Sequence, residues 1–205
     1  MLKKLSLTSL LLVLTVVASV AAPTADHILD KVSDLFLKSP SVTLSFSLKN
    51  GQGTPIKGSM TMCKDRFTAT YDNQSLWFDG KTLWLFQKSA NEVSISEPTK
   101  NELAECNPFY MISNYKKTYS ASVIKKTSPG TYKVRLTPKK KSDIQYIDIV
   151  VNDTSYKPVR IVTVMSAGTQ AAFIIGKVEK GKKLPDSYFR FNTKNNPHVI
   201  VNDLR

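Results

Sequence analysis

The 205-residue chain carries 29 basic against 16 acidic side chains, a formal net charge of +13, with only two histidines and two cysteines. A charge of that sign suits nucleic acid, an anionic membrane surface or an acidic partner. No nucleic-acid motif is present, and the lysines are spread through turns, as at Lys139 to Lys141 and Lys180 to Lys183, rather than stacked on one helix. The expectation is a generally basic surface biased towards membranes or acidic partners, with no nucleic acid bound.

The first residues read as a secretory signal. Lys3 and Lys4 give a positive start, Leu10 to Val17 is an apolar run broken only by Thr15, and small residues follow from Ser19 to Ala22. The run is short for a bilayer span and lacks a basic stop-transfer flank. Residues 1–21 are thus expected to be a signal peptide cleaved after Ala21, and 22–205 a single exported domain. No cysteine follows the signal, so the chain is not expected to be a lipoprotein itself.

Thr24 is the N-cap of a predicted helix, with Ile28, Leu29, Val32, Leu35 and Phe36 at helical spacing and a stop before Ser39-Pro40. Val42, Leu44, Phe46 and Leu48 then alternate with small polar residues, the pattern of a strand with one wet side. Two strands follow at 56–62 and 66–71. Asp79-Gly80 predicts a tight two-residue hairpin turn between Leu76-Trp77-Phe78 and Leu83-Trp84-Leu85-Phe86. The second arm is apolar on successive residues, so both of its faces should be covered. A more polar strand spans Glu92 to Ser96. Thr99 to Glu102 matches a capping box, and Asn107-Pro108 starts a second short helix. Strands are predicted again at 121–126, 131–137, 145–151, 157–165 and 170–178, with a last short one near Val199. The fold class is mainly β with some helix: a curved antiparallel sheet covered by an N-terminal and a central helical segment.

Chemistry has little to work with. His27 and His198 lie near opposite ends, no G-x-S-x-G elbow accompanies them, no histidine or cysteine spacing suits zinc, and no glycine-rich phosphate loop occurs. No catalytic residue, metal or cofactor is assigned, and an enzyme is not expected. In an oxidising compartment Cys63 and Cys106 invite one disulfide, but their facing is not legible, and a bridge and two thiols are both compatible with the sequence. The surplus is apolar. Its aromatics are either ordinary core or the lining of a cavity for acyl chains under a helical cover.

The run from Trp77 to Pro98, W-F-D-G-K-T-L-W-L-F continuing to N-E-V-S-I-S-E-P, resembles the LolA-like periplasmic outer-membrane lipoprotein carriers. Residues 101–117, N-E-L-A-E-C-N-P-F-Y-M-I-S-N-Y-K-K, and the ending F-R-F-N-T-K to D-L-R are similar to the Bacteroidetes-type branch of that family. The resemblance implies an incomplete β-barrel closed by helices, monomeric. Its interior would take the acyl chains of lipoproteins released by an inner-membrane ABC transporter and carry them to the outer membrane, where the acceptor is unknown. It places Leu44, Phe46, Trp84, Phe86, Val93, Phe109 and Ile112 in that cavity, although a shift of one residue at Leu83, Trp84 and Leu85 would reverse their facing. One departure stands out: the early-strand arginine that holds the helical lid in family members has no counterpart between Val42 and Leu48. The alternative is a same-fold periplasmic sensor of lipid or lipoprotein that transports nothing.

Overall fold

A computed structural model describes residues 22–124 and 128–205. The signal-peptide expectation and the end of the strand expected over 121–126 lie outside the described residues.

Helix α1 (Ala25–Leu37) starts where the Thr24 hydroxyl accepts the His27 amide at 3.2 Å, and it ends at Lys38, before Ser39-Pro40. The helix buries Ile28, Leu29, Val32 and Phe36 along one stripe. Then come β1 (Ser41–Asn50), β2 (Ile56–Cys63), β3 (Arg66–Tyr71), β4 (Gln74–Phe78), β5 (Leu83–Gln87) and β6 (Glu92–Ser96). Two short helices interrupt the sheet, α2 (Lys100–Cys106) and α3 (Pro108–Asn114), followed by a 3-10 turn at Tyr115–Lys117. The Thr99–Glu102 capping box forms as expected, and the Asn107 side chain caps α3 by accepting from the Phe109 and Tyr110 amides. The second half supplies β7 (Tyr119–Ile124), β8 (Thr131–Pro138), β9 (Ile144–Asn152), β10 (Pro158–Met165), β11 (Gln170–Gly181) and β12 (Ile200–Asp203).

Among the described residues these strands form one curved 12-stranded sheet in the order β12-β6-β5-β4-β3-β2-β1-β11-β10-β9-β8-β7. The seam between the two halves is β1 against β11, antiparallel from Ser41↔Gly181 to Asn50↔Ala171. β7 and β12 stay as edges, so the barrel is not closed. β12 runs parallel to β6, an exception to an otherwise antiparallel sheet.

The turn at Asp79-Gly80 differs from the expected two-residue type. Phe78 pairs with Leu83, leaving a four-residue loop. Asp79 Oδ1 accepts the Lys81 and Thr82 amides at 3.1 and 2.9 Å, and within the loop only Gly80 has positive φ. The aspartate folds the turn through its side chain, so the left-handed backbone expected at both central positions is needed at one.

Register fixes which residues share a face. Val42, Met62, Phe67, Phe78 and Leu83 lie in one cross-strand row, and Leu44, Met60, Ala69, Leu76 and Leu85 in the next. These rows form the inner face, covered by the helices. Phe46 belongs to it too and lies over Gly58, where an added Cβ would meet the ring at 2.5 Å. Across the seam Phe173, Ile161, Ile149 and Val134 continue the inner face.

Candidate functional site

The inner face and its helical lid meet through a run of aromatic rings. Phe36 of α1 lies 3.9 Å from Phe109 of α3, centroid to centroid. Phe109 meets Phe173 of β11 edge-on at 6.1 Å, and Phe173 stacks on Phe46 of β1 at 4.6 Å. Tyr71 of β3 ends the run, 6.2 Å from Phe46. Lid and sheet therefore share one apolar interior in which Leu44, Phe46, Phe109 and Ile112 come together, all buried. Phe36 and Phe173 belong with them. Phe36 belongs to the helical stripe read from the sequence and Phe173 falls in the strand expected over 170–178, but only the fold brings them side by side.

The two parts of the lid are tied to each other by polar bonds. The Tyr115 hydroxyl donates to Asp26, and Ser33 and Ser113 share a 3.0 Å hydrogen bond. Burial first, and then the hydrogen bond it donates to the Asp26 carboxylate, push the Tyr115 hydroxyl well above the usual phenol range. A cleft of about 410 Å³ opens between the lid and the β4–β5 turn, with Phe78, Leu103 and Tyr110 inside and the Lys81–Glu97 ion pair, 3.0 Å, at its rim.

Trp84, Phe86 and Val93, expected inside, lie on the opposite, outer face. Trp77 pairs with Trp84, Trp84 with Ile95, and Phe86 with Val93, while Leu83 and Leu85 take the inner positions. Both faces of β5 are indeed covered, and the outer cover is the C-terminal segment. Phe191 packs 5.3 Å from Trp77 and 5.4 Å from Phe86. Phe189 is fully buried beneath the Arg66 guanidinium, which also pairs with Asp186. Arg190 bonds the Asp79 carboxylate at 2.9 Å. Burial alone would raise the Asp79 carboxyl; the Thr82 and Lys81 amides and Arg190 outweigh it and hold it low. The F-R-F spelling at 189–191 was the available signal for this layer.

Cys63 and Cys106 do not form a disulfide. Cys63 pairs with Arg66 on the outer face and lies 3.5 Å from its guanidinium, whereas Cys106 belongs to α2 and packs against the inner core. The sheet stands between them. The early-strand arginine also has no substitute from the strands: Arg66, Arg135 and Arg160 sit in outer-face rows.

No curated protein matches the chain. Among solved structures, an uncharacterized conserved protein from Thermus thermophilus superposes with a TM-score of 0.61 at 11% identity, over 87% of this chain and 98% of that one. The LolA superfamily protein NE2245 from Nitrosomonas europaea gives 0.47 at 13%, covering 83% and 99%. A chain of the Pseudomonas aeruginosa MucA/MucB complex gives 0.46 at 9%, covering 83% and 62%. The first of these shares the fold. A family described as outer membrane lipoprotein carrier protein LolA, whose members are periplasmic carriers or binding proteins, matches residues 14–168. This chain belongs to that LolA family.

Proposed function

We propose that the protein is a periplasmic carrier, exported by a signal peptide cleaved after Ala21. In this reading it holds lipoprotein acyl chains between its helical lid and the inner face of the sheet and moves them from the inner to the outer membrane. The supporting observation is the ring sequence Phe36–Phe109–Phe173–Phe46, in which two lid rings run directly into two sheet rings, so displacing the lid exposes a continuous apolar lining. The proposed lining is Leu44, Phe46, Phe109 and Ile112, joined by Phe36 and Phe173. It is a binding protein, without catalytic residues.

The energetics of exchange are balanced. Fully burying a large apolar side chain is worth about 1.5–3 kcal/mol, so exposing Ile28, Leu29, Val32 and Phe36 of the α1 stripe costs on the order of 10 kcal/mol. An acyl chain gains about 0.8 kcal/mol per buried methylene, and about a dozen methylenes would offset that. A lid that closes on itself when empty and yields to one or more chains suits a carrier that must also release them. Donor and cargo follow from the same reading: an inner-membrane ABC transporter that releases lipoproteins, and triacylated lipoproteins themselves.

Native mass spectrometry of protein taken from its own periplasm, paired with transfer of labelled lipoprotein from inner-membrane to outer-membrane vesicles, tests the proposal. Bound acylated mass together with transfer supports the carrier. Bound mass without transfer replaces it with a same-fold sensor, and neither result leaves the interior as plain core.

A further inference from the structure

The lid's last turn and a strand turn far from it in sequence bring five exposed lysines to one rim of the sheet. Lys116 and Lys117 occupy the 3-10 turn after α3, and Lys139, Lys140 and Lys141 the β8–β9 turn; all five are exposed. Two bonds join the turns. The Lys139 amide donates to the Thr118 carbonyl at 2.9 Å, and Lys139 Nζ donates to the Lys116 carbonyl at 2.6 Å. Carboxylates beside these turns are Asp30, 3.6 Å from Lys116 Nζ, Asp26, which accepts the Tyr115 hydroxyl, and Asp143 in the β8–β9 turn itself. The patch thus keeps a surplus of positive charge held by backbone bonds rather than by a flexible tail.

We infer that this rim is the membrane-docking surface of the protein, and that its partner is the anionic headgroup layer of a phospholipid bilayer. Charge complementarity selects that partner. Five ammonium groups on two adjacent turns make a broad point-charge surface, suited to many loosely arranged phosphates, whereas a planar carboxylate site would call for arginine forks. The place is apt as well, because the patch begins at the residue after Tyr115. Docking would bring the end of the lid against the bilayer from which a chain must enter. The inference rests on the carrier reading only for that purpose; binding to lipid alone is a separate property.

Flotation with vesicles lacking any lipoprotein tests it, comparing phosphatidylcholine vesicles with vesicles in which about a quarter of the lipid is phosphatidylglycerol. A lysine near such a surface tightens binding about fivefold. The K117E/K140E/K141E variant leaves the bonded Lys116 and Lys139 intact and is expected to lose at least about 100-fold in affinity for anionic vesicles. The control K180E/K182E/K183E removes the same net charge from exposed sites at the C-terminal end of β11, the end opposite its turn from β10, and should bind within about threefold of wild type. Wild-type binding should fall steeply between low salt and about 0.5 M as screening shortens the field. Equal losses in both variants, equal binding to the two vesicle types, or unimpaired binding by the patch variant would each overturn the inference. Loss of binding to an acidic membrane protein with vesicle binding intact would replace the lipid with a protein partner. None of these results bears on acyl-chain capture, which the periplasmic mass measurement reads independently.

Discussion

Asp148 sits on the outer face of β9 between two cations. Its carboxylate accepts Arg135 Nε and Nη2 at 2.7 and 2.9 Å and lies 2.7 Å from Lys133 Nζ, while the Arg135 guanidinium rests 3.6 Å above the Tyr146 ring. Burial by itself would raise the Asp148 carboxyl, but the hydrogen bonds from Arg135 and Lys133 outweigh it and the net shift is downward. A carboxyl whose folded value lies below its unfolded one stabilises fully above the unfolded value, about pH 4. That contribution drains away as pH falls through the lowered folded value. Asp148→Asn should therefore cost about 1–3 kcal/mol at pH 7, less than a fully buried pair because both cations remain partly exposed. Urea titrations should show the difference between variant and wild type narrowing below about pH 4; a difference independent of pH would mean the charge contributes nothing. Sequence spacing hides this triad. Arg135 and Asp148 become neighbours only through the β8–β9 register.

Among the elements, those whose signals are local were legible. Thr24 with its apolar stripe, Thr99 with Glu102, and Asn107-Pro108 each carry cap and period within a few residues, and each forms as written. β5 was not fully legible, because Leu83, Trp84, Leu85 and Phe86 are all apolar and their alternation is masked. What decides their facing is Phe191, which arrives from the other end of the chain. Tyr115→Phe with Ser113→Ala removes the hydroxyl bonds from α3 and its following turn to α1 while leaving Phe36 and Phe109 in place. Each such bond is worth about 1 kcal/mol. Hydrogen exchange in α1 should quicken by about 30-fold with the β1–β11 seam unchanged. Equal acceleration in both would make the lid part of one cooperative unit.

At the scale of the molecule, the sheet is a layer with two apolar sides at its β4–β6 end. Helices cover the inner side and the C-terminal segment the outer one, clipped by Arg66–Asp186 and Arg190–Asp79. The mainly β class and the helical cover were readable from alternation and caps. The outer layer was not, since nothing local in Asp186 to Phe191 says where it docks. A chain ending at Gly181 should keep its inner core, expose Trp77 and Trp84, shift their emission to the red and associate. Unchanged emission would show that the outer rings do not depend on this cover.

Which face of the sheet meets the acyl chains is read directly by photo-crosslinking. A benzoylphenylalanine placed at Phe173 or Phe109, and in separate variants at Trp84 or Phe86, would be irradiated with acylated lipoprotein bound. Adducts to the acyl chains are expected from Phe173 and Phe109 and none from Trp84 or Phe86. Adducts from the outer pair, or from neither pair in protein that still carries cargo, would contradict this assignment of faces.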